Sequence, residues 1–531
     1  MKSKHSNLFK ISIYTWIFLS FSIHIYAQNT SIPDANFEQA LIDLGYDTAP
    51  TNGIIPTANI NTITNLDVTN KNIADLTGIE DFAALNFLTL TNNNLTTLDV
   101  SSNSKLIAMS CNENQITSLT LPATNFFQGL FCNDNLLTSI NVTGNPNLKI
   151  LKCHNNKLTG ELDISNNSKL ETIYCYENQL TSLKFIQQND TTLKELYCGF
   201  NNLSTIDISI FSSLEFFNCN KNNISVLNVS SNIELIDLFF LENNISTIDV
   251  TQNTKLVQLG AGKNPLGALD ITQNTKLVQL GSGKNPLGAL DVTQNIVLEN
   301  LGCYENELKE LDISNNSKLQ RLSCYINQIP NLDLSNKSDL IHLWIYGNTI
   351  DVLDLSQNPN LERLSCGANN IEHLDLSQNP KLTQLECQSN QLTFLNVKNG
   401  ANTLIAEFKT TGNPDLTCII VDNKNYSTIN WTEIDNGTSF LESDAECQAL
   451  SIEDFAIEGF KMYPNPVSDQ LTITGENMMV NEVNIYDHTG RMIKNILWKG
   501  NSTNLNSLAP GMYILRIKTD QGTTARKILK I

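Results

Sequence analysis

Ten cysteines recur at one phase of this sequence, and they are the first residues whose type and spacing could support chemistry. The set is Cys111, Cys132, Cys153, Cys175, Cys198, Cys219, Cys303, Cys324, Cys366 and Cys387. A row of thiols could bind zinc or form disulfides, but zinc requires convergent tetrahedral ligands and not a row. If the repeats form parallel strands in register, neighbouring cysteine side chains point the same way, which suits the disulfide dihedral poorly. Because Phe240, Ala261 and Ile345 fill the same phase elsewhere, we expect buried apolar thiols and no metal site.

Aspartates form a second row, and each one begins a predicted turn with the sequence pattern Asp-x-Ser-x-Asn or a close variant of it. The row comprises Asp163, Asp207, Asp249, Asp270, Asp291, Asp312, Asp333, Asp354 and Asp375. Calcium takes carboxylate oxygens of this kind, but an aspartate at such a position more often accepts hydrogen bonds from its own turn. We expect the turn role.

Catalytic signatures are missing from the sequence. It contains no HExxH, GxSxG or Cys-His pattern, and the Gly-Lys segments at Lys263 and Lys284 lack both the first glycine and the Ser or Thr of a phosphate loop. We therefore expect that the protein is not an enzyme and that it binds no cofactor. An enzyme that uses an unrecognised pair of carboxylates is the least favoured alternative.

Aromatic residues occupy phases that alternate with the core, where they could contact a ligand. The candidate binding residues are Tyr174, Tyr176, Tyr197, Phe200, Tyr304, Tyr325, Trp344 and Tyr346. Exposed Tyr and Trp favour contacts with proteins or sugar rings. The alternative is that these rings stack along a sheet and only stabilise it.

One repeat of about 21 residues must position all of these side chains. Its pattern is LxxLxCxxNxL followed by LDxSxN, and one asparagine stands at the same phase in fifteen units. These are Asn93, Asn114, Asn135, Asn156, Asn178, Asn201, Asn222, Asn243, Asn264, Asn285, Asn306, Asn327, Asn348, Asn369 and Asn390. A single unit cannot bury its apolar residues alone, so the units must stack as coils of a solenoid. We expect each asparagine amide to bond the backbone of its own and the neighbouring coil.

The repeat resembles the bacterial leucine-rich repeat family, in its 21-residue internalin-like or nested type. The resemblance implies a mainly β solenoid of about 16 coils over residues 63–403, with few helices. Residues 28–62 are predicted to form an N-terminal cap with a helix near residues 32–45. Residues 404–451 are predicted to form a C-terminal cap and linker. An exported protein would favour a disulfide between Cys418 and Cys447 in this segment, and the alternative is two free thiols in the core of the cap.

Both ends of the chain have sequence patterns that predict export. Residues 1–27 read as a signal peptide, with Lys2, Lys4 and Lys10 around the start of an apolar run. Residues 452–531 contain FKMYPNPVSDQLTI, VNIYDHTGRMIKN and LAPGMYILRIKTDQGTTARKILKI, and short strands separated by turns predict a small β-sandwich. These segments resemble the type A C-terminal sorting domain of the Bacteroidetes type IX secretion system. That resemblance implies recognition by the outer-membrane translocon, followed by surface anchoring or release.

Charge limits the class of partner. The chain has a formal net charge of -20, and the acidic excess lies in residues 28–451. This argues against nucleic acid, which is bound by clusters of Lys and Arg. No apolar stretch beyond residue 27 is long enough for a transmembrane segment in the mature chain.

The sequence thus predicts a noncatalytic binding or adhesion protein, displayed on the cell surface or secreted. It would recognise a protein or carbohydrate ligand through the inner face of its repeats. A structural spacer without a specific ligand is the second hypothesis.

Overall fold

The structure is a computed structural model that describes residues 28–186, 192–451, 460–475, 479–487, 491–520 and 522–531. The predicted signal peptide lies outside these ranges. The chain divides into two compact units, a first unit that ends at Asn274 and a second unit that begins at Thr275. No helix in the described ranges is long and apolar enough to cross a membrane.

The first unit begins with the predicted capping helix. Strand β1 (Asn29–Ser31) pairs antiparallel with β2 (Ile54–Pro56), and helices α1 (Ala35–Asp43) and α2 (Thr57–Ile60) follow β1 and β2 respectively. Asp34 caps α1 by accepting from the N–H groups of Asn36 and Phe37 at 2.8 and 3.0 Å. Its second carboxylate oxygen accepts from the N–H groups of Ala74 and Asp75 at 2.7 and 2.9 Å. One side chain therefore ties the cap to the first coil.

The coils of the first unit contribute one inner strand each, in parallel register. The strands that follow the cap are β3 (Asn65–Asp67), β4 (Phe87–Thr89), β5 (Thr97–Asp99), β6 (Ala108–Ser110), β7 (Ser118–Thr120), β8 (Gly129–Phe131), β9 (Ile150–Lys152), β10 (Thr159–Asp163), β11 (Thr172–Tyr174), β12 (Gln179–Lys184), β13 (Glu195–Tyr197), β14 (Phe216–Asn218), β15 (Asp237–Phe239) and β16 (Gln258–Gly260). Two short parallel pairs, β5 with β7 and β10 with β12, lie on the outer side. All the other strands of this set form the inner ladder. The central residue of each inner strand is buried, and its two neighbours are more exposed except at Gly129 and Gly260, as the period of two along a strand predicts.

The second unit repeats this pattern. Its strands and helices are β17 (Gln279–Gly281), β18 (Asn300–Gly302), β19 (Arg321–Ser323), β20 (His342–Trp344), β21 (Arg363–Ser365), β22 (His373–Asp375), β23 (Gln384–Glu386), β24 (Phe394–Asn396), β25 (Glu407–Lys409), β26 (Cys418–Ile420), α3 (Lys424–Asn430), β27 (Ser439–Leu441) and α4 (Asp444–Ser451). The inner ladder runs through β17 to β21, then β23 and β25, and the outer sheet is β22-β24-β26-β27. Short 3-10 turns occur at Ile79–Asp81 in the first unit and Asn402–Leu404 in the second.

Coil stacking extends beyond the boundary predicted at residue 403. Strand β25 pairs with β23, and Lys409 forms a further parallel bridge with Glu433. Asn413 makes the bonds of the repeated asparagine although it lies 23 residues after Asn390, since its Oδ1 accepts from the Leu392 N–H at 3.1 Å. The solenoid has about 18 turns. The expectation of about 16 was low because these last coils depart from the 21-residue spacing.

The C-terminal residues form two antiparallel sheets with a shared core. The strands are β28 (Phe460–Tyr463), β29 (Gln470–Gly475), β30 (Val480–Tyr486), β31 (Met492–Leu497), β32 (Ser502–Asn504), β33 (Gly511–Thr519) and β34 (Gly522–Lys530). Their order is β28-β29-β32 in one sheet and β31-β30-β33-β34 in the other. Ile473 from the first sheet joins Val483, Leu515 and Ile528 from the second in one buried cluster.

The repeated asparagines bond successive coils as expected. The Oδ1 of Asn178 accepts from the Leu158 N–H at 2.9 Å, while its Nδ2 donates to the carbonyls of Cys153 and Cys175 at 3.0 and 3.2 Å. The residue before it, Glu177, has a φ of 53°. Non-glycine residues hold this left-handed conformation before the asparagine in most coils, which side-chain type alone does not predict.

A second series of asparagines was not predicted. In the LDxSxN segment, Asn253 donates from Nδ2 to the carbonyls of Val229 and Asn232 at 3.0 and 2.8 Å. Asn316 and Asn358 make equivalent bonds, but Lys337 takes this place in the coil between them. The cysteines between the two series are buried free thiols, as predicted.

Candidate binding surface

The aromatic residues predicted to bind a ligand occupy three positions of the repeat, counted from the inner strand. Tyr174, Tyr197 and Trp344 are the last residues of β11, β13 and β20. Tyr176, Tyr304, Tyr325 and Tyr346 each follow two residues after an inner strand, and Phe200 occupies the left-handed position that follows. The repeat places four of these residues in each unit, so the structure contains two separate aromatic groups.

The first unit contains a cluster of aromatic residues whose tyrosines were predicted from the sequence and whose histidine and glutamate were not. Tyr174 packs edge-on against Tyr197 with ring centroids 4.7 Å apart, and Tyr176 stacks on His154 at 4.4 Å. The Tyr174 hydroxyl donates to Glu195 at 2.6 Å. Burial, reinforced by this bond, raises the pKa of Tyr174. His154 and Glu195 come from neighbouring coils and could have been found by phasing charged residues together with the aromatic ones.

Lysines cover other ring faces in the first unit. The Nζ of Lys152 lies 4.4 Å from the ring centroid of Tyr174, and the Nζ of Lys221 lies 4.5 Å from that of Phe200. Phe200 is 43% exposed and has no ring contact with the three tyrosines among the described residues. This group therefore satisfies most of its polar and aromatic contacts internally.

The second unit contains the predicted tyrosine ladder. Tyr304 and Tyr325 stack with centroids 4.5 Å apart and an interplanar angle of 9°, and Tyr325 and Tyr346 stack at 4.5 Å and 10°. A Cβ at Gly283 would lie 2.5 Å from the Tyr304 ring, so only glycine leaves room for the first ring. Burial and the neighbouring tyrosines raise the pKa of Tyr325 to about 12. Because the rings cover one another's faces, the ladder presents mainly edges to solvent.

Trp344 stands beside the ladder among small neighbours. In register, Ser323 and Ser365 flank it on the adjacent strands, and Gly302 lies one strand further. Its ring is tilted by 57° against His342, with centroids 5.0 Å apart. A Cβ built at Gly302 would meet nothing closer than 3.8 Å. A shallow open strip therefore begins at Gly302, with Ser323 between it and Trp344.

The aspartate row occupies its own turns, as predicted. The Oδ1 of Asp249 accepts from the N–H and the hydroxyl of Thr251 at 2.9 and 2.7 Å. These bonds lower the pKa of Asp249, and the same arrangement at Asp291 lowers the pKa of that carboxyl. The described residues contain no group of three or more His, Cys, Asp or Glu side chains placed to hold a metal ion.

Cys418 and Cys447 are joined by a disulfide in the structure, with their Cα atoms 5.7 Å apart. The bond links β26 to α4, and both sulfur-bearing residues pack with Ile420. Whether the exported protein carries this bond stays a prediction.

Comparison with known proteins agrees with the solenoid. The functional domain of InlJ from Listeria monocytogenes, described as including a cysteine ladder, is 25% identical with a TM-score of 0.52, and the match covers 95% of this chain and 99% of that one. A leucine-rich repeat protein of Leptospira interrogans is 25% identical with a TM-score of 0.56, covering 72% and 97%. The Arabidopsis receptor kinase HAESA, solved with a peptide hormone and a co-receptor, shares the fold at 18% identity and a TM-score of 0.51, covering 68% and 71%. No curated protein sequence matches the chain.

The fold therefore defines a leucine-rich repeat protein that is similar to internalin-type proteins. Residues 461–531 match the family described as the secretion system C-terminal sorting domain. The chain is thus an exported leucine-rich repeat scaffold with a sorting domain at the end of its described sequence.

Proposed function

We propose that this protein is a noncatalytic recognition protein, exposed on the cell surface or released, that binds a protein ligand through the second unit. The binding surface would comprise Tyr304, Tyr325, Trp344 and Tyr346. The observation that carries the proposal is the open space at Gly302, two residues before the half-buried Tyr304 and separated from Trp344 by the strand of Ser323. Large aromatic side chains next to unfilled space are typical of interface hot spots.

A protein ligand fits this surface better than a carbohydrate. Sugar rings bind by lying flat on an exposed aromatic face, and the stacked tyrosines cover most of those faces with each other. Ile326, next to Tyr325, is 49% exposed, and exposed aliphatic surface favours a polypeptide. The first-unit group is the weaker candidate, because Lys152 and Glu195 already engage Tyr174.

The test uses the whole exported chain on protein and glycan arrays. Replacing the four second-unit residues together by alanine should abolish a specific protein hit. The matched control replaces Tyr174, Tyr176 and Tyr197 by alanine in the first unit and should retain the hit. If the control loses binding and the second-unit variant does not, the site lies in the first unit. A native chain that binds nothing supports the spacer hypothesis instead.

A steric variant separates recognition from stability. Gly302→Leu adds a side chain where a Cβ meets open space and the backbone needs no positive φ, so the melting temperature should stay within a few degrees. Ligand binding should fall at least ten-fold, because the added side chain fills the strip. Full binding by a folded Gly302→Leu chain would exclude this strip as the contact.

Export by the type IX system is tested separately. Deleting residues 452–531 should retain the chain in the periplasm of the producing bacterium, whereas full surface exposure of the deleted form would contradict the assignment. Cell fractionation and surface protease accessibility measure the outcome. Mass spectrometry of the C-terminal peptide of the native exported chain then shows where the sorting domain is cleaved and whether an anchor is attached.

A further inference from the structure

Two arginines mark one place on the inner face of the second unit. Arg321 and Arg363 are the only arginines in the sequence of residues 28–451. The other basic residues of this segment, apart from histidines, are lysines. Both arginines are the first residues of their strands, and His342 lies between them in register. Trp344 is on that same central strand, two residues after His342. The two guanidinium groups therefore flank the edge of the proposed binding surface.

The arginines differ from the lysines in their partners. Lysines of the coils repeatedly pair with a carboxylate in a neighbouring coil, as Lys263 does with Glu242 and Lys284 with Glu305. Neither arginine has a carboxylate within ion-pairing distance in the described ranges; Arg321 donates only to the amide oxygen of Asn300, at 3.3 Å. An arginine presents five donors in a fixed fork suited to carboxylates. Two such groups thus remain available on a body that is otherwise strongly acidic.

We propose that Arg321 and Arg363 form an anion-binding subsite that selects a polypeptide segment carrying Asp or Glu side chains. This inference rests on the proposed function and specifies its ligand. The two strands are separated by two strand spacings, about 10 Å, and arginine side chains can span this distance from both sides toward one carboxylate above His342. Glu362, which precedes Arg363, is an acidic neighbour of His342.

The side chains around the subsite favour a polypeptide over an acidic sugar. Trp, Tyr and Arg are the residue types enriched in protein hot spots, and all three occur here in neighbouring coils. Ile326 holds a φ of 51°, a strained conformation for a β-branched residue, while almost half of its side chain is exposed. The left-handed turn belongs to the repeat and recurs in most coils, but here it carries an exposed aliphatic side chain, which favours contact with an apolar group. The ligand segment would therefore combine a carboxylate with an apolar side chain.

A random dodecapeptide display library, selected on the full chain at low ionic strength, tests the proposal. Selected peptides should be enriched in Asp or Glu next to an apolar residue, and their affinity should fall as salt is raised. The Arg321→Gln/Arg363→Gln variant should bind them at least 100-fold more weakly. The matched control, Lys309→Gln/Lys318→Gln, changes net charge equally at exposed lysines of the same unit and should bind normally.

The outcomes separate this inference from the proposed function. Peptides that lack acidic residues, or that bind the arginine variant equally well, would overturn the subsite while leaving recognition by the tyrosine and tryptophan surface intact. No selected peptide at all, with folded native chain, would contradict the proposed function itself. Arginine-dependent binding of polygalacturonate in place of peptides would overturn the choice of a polypeptide. Thermal melting of each variant confirms that it is folded.

Discussion

The asparagine series predicts an unusual pH response for one isosteric substitution. In the first unit, Asn243 accepts from the Ile224 N–H at 3.0 Å through Oδ1, and its Nδ2 donates to the carbonyls of Cys219 and Phe240 at 2.9 and 3.1 Å. Asn243→Asp keeps the acceptor but turns a second oxygen toward two carbonyl oxygens. A buried carboxyl in this place can donate only when it is protonated, so its folded-state pKa must rise above the usual value of about 3.9.

The magnitude follows from the cost of that proton. Protonating an aspartate at pH 7 costs about 4 kcal/mol, and the protonated form still lacks one of the two donated hydrogen bonds, worth about 1 kcal/mol. We therefore expect Asn243→Asp to lower the free energy of unfolding by about 5 kcal/mol at pH 7. At pH 4.5 the proton costs about 0.8 kcal/mol, so the loss shrinks to about 2 kcal/mol. The sign is fixed because the folded variant binds more protons than the unfolded one, so its relative stability rises as pH falls.

Urea unfolding at both pH values and hydrogen exchange of the Ile224 amide measure this effect. The matched control is Asn244→Asp, an exposed neighbour with the same change in charge, which should stay within about 0.5 kcal/mol of the native chain. Equal losses at pH 7 and pH 4.5, or a loss no larger than that of the control, would refute the role assigned to the Nδ2 bonds.

Three further predictions concern the second unit. Ile326→Gly should raise its free energy of unfolding by about 1 kcal/mol in urea titrations, since relief of the left-handed strain at φ 51° exceeds the entropy lost with glycine. Cys418→Ser/Cys447→Ser should lower the free energy of unfolding by about 3–4 kcal/mol, because the disulfide closes a loop with a sequence separation of 29. An unchanged free energy, together with free thiols detected by mass spectrometry in the native chain, would contradict the disulfide. Burial, with Arg321 and Arg363 nearby, lowers the pKa of His342, so stability should fall as pH drops below about 6.5, and His342→Gln should flatten that slope in melting curves.

The sequence predicts what every coil repeats and fails where coils differ. The interactions of Asn178 follow from a pattern present in fifteen units, so both the stacking and the buried cysteines could be foreseen. Asn413 was missed because Phe408 and Thr410 replace the Leu and Cys of the pattern in its unit, although its bonds are the same. The contact between Tyr174 and Glu195 joins side chains from neighbouring coils, and such a pair is found from the sequence only when charged and aromatic residues are aligned on the same repeat register. Arg321 and Arg363 gave a sequence signal through their rarity, which composition totals for Lys and Arg together conceal.

The separation of structural and variable positions makes the inner face suitable for recognition. Inter-strand bonds and the asparagine amides satisfy the coil backbone from within, so a residue such as Gly302 or Trp344 is not required for stacking. The residue at Gly302 can change at small cost in stability, because a Cβ there would meet nothing closer than 3.8 Å. Substitutions on this face should therefore affect binding far more than folding, whereas substitutions in the asparagine series should do the opposite. A surface substitution that unfolded the second unit would show that the aromatic ladder is primarily structural.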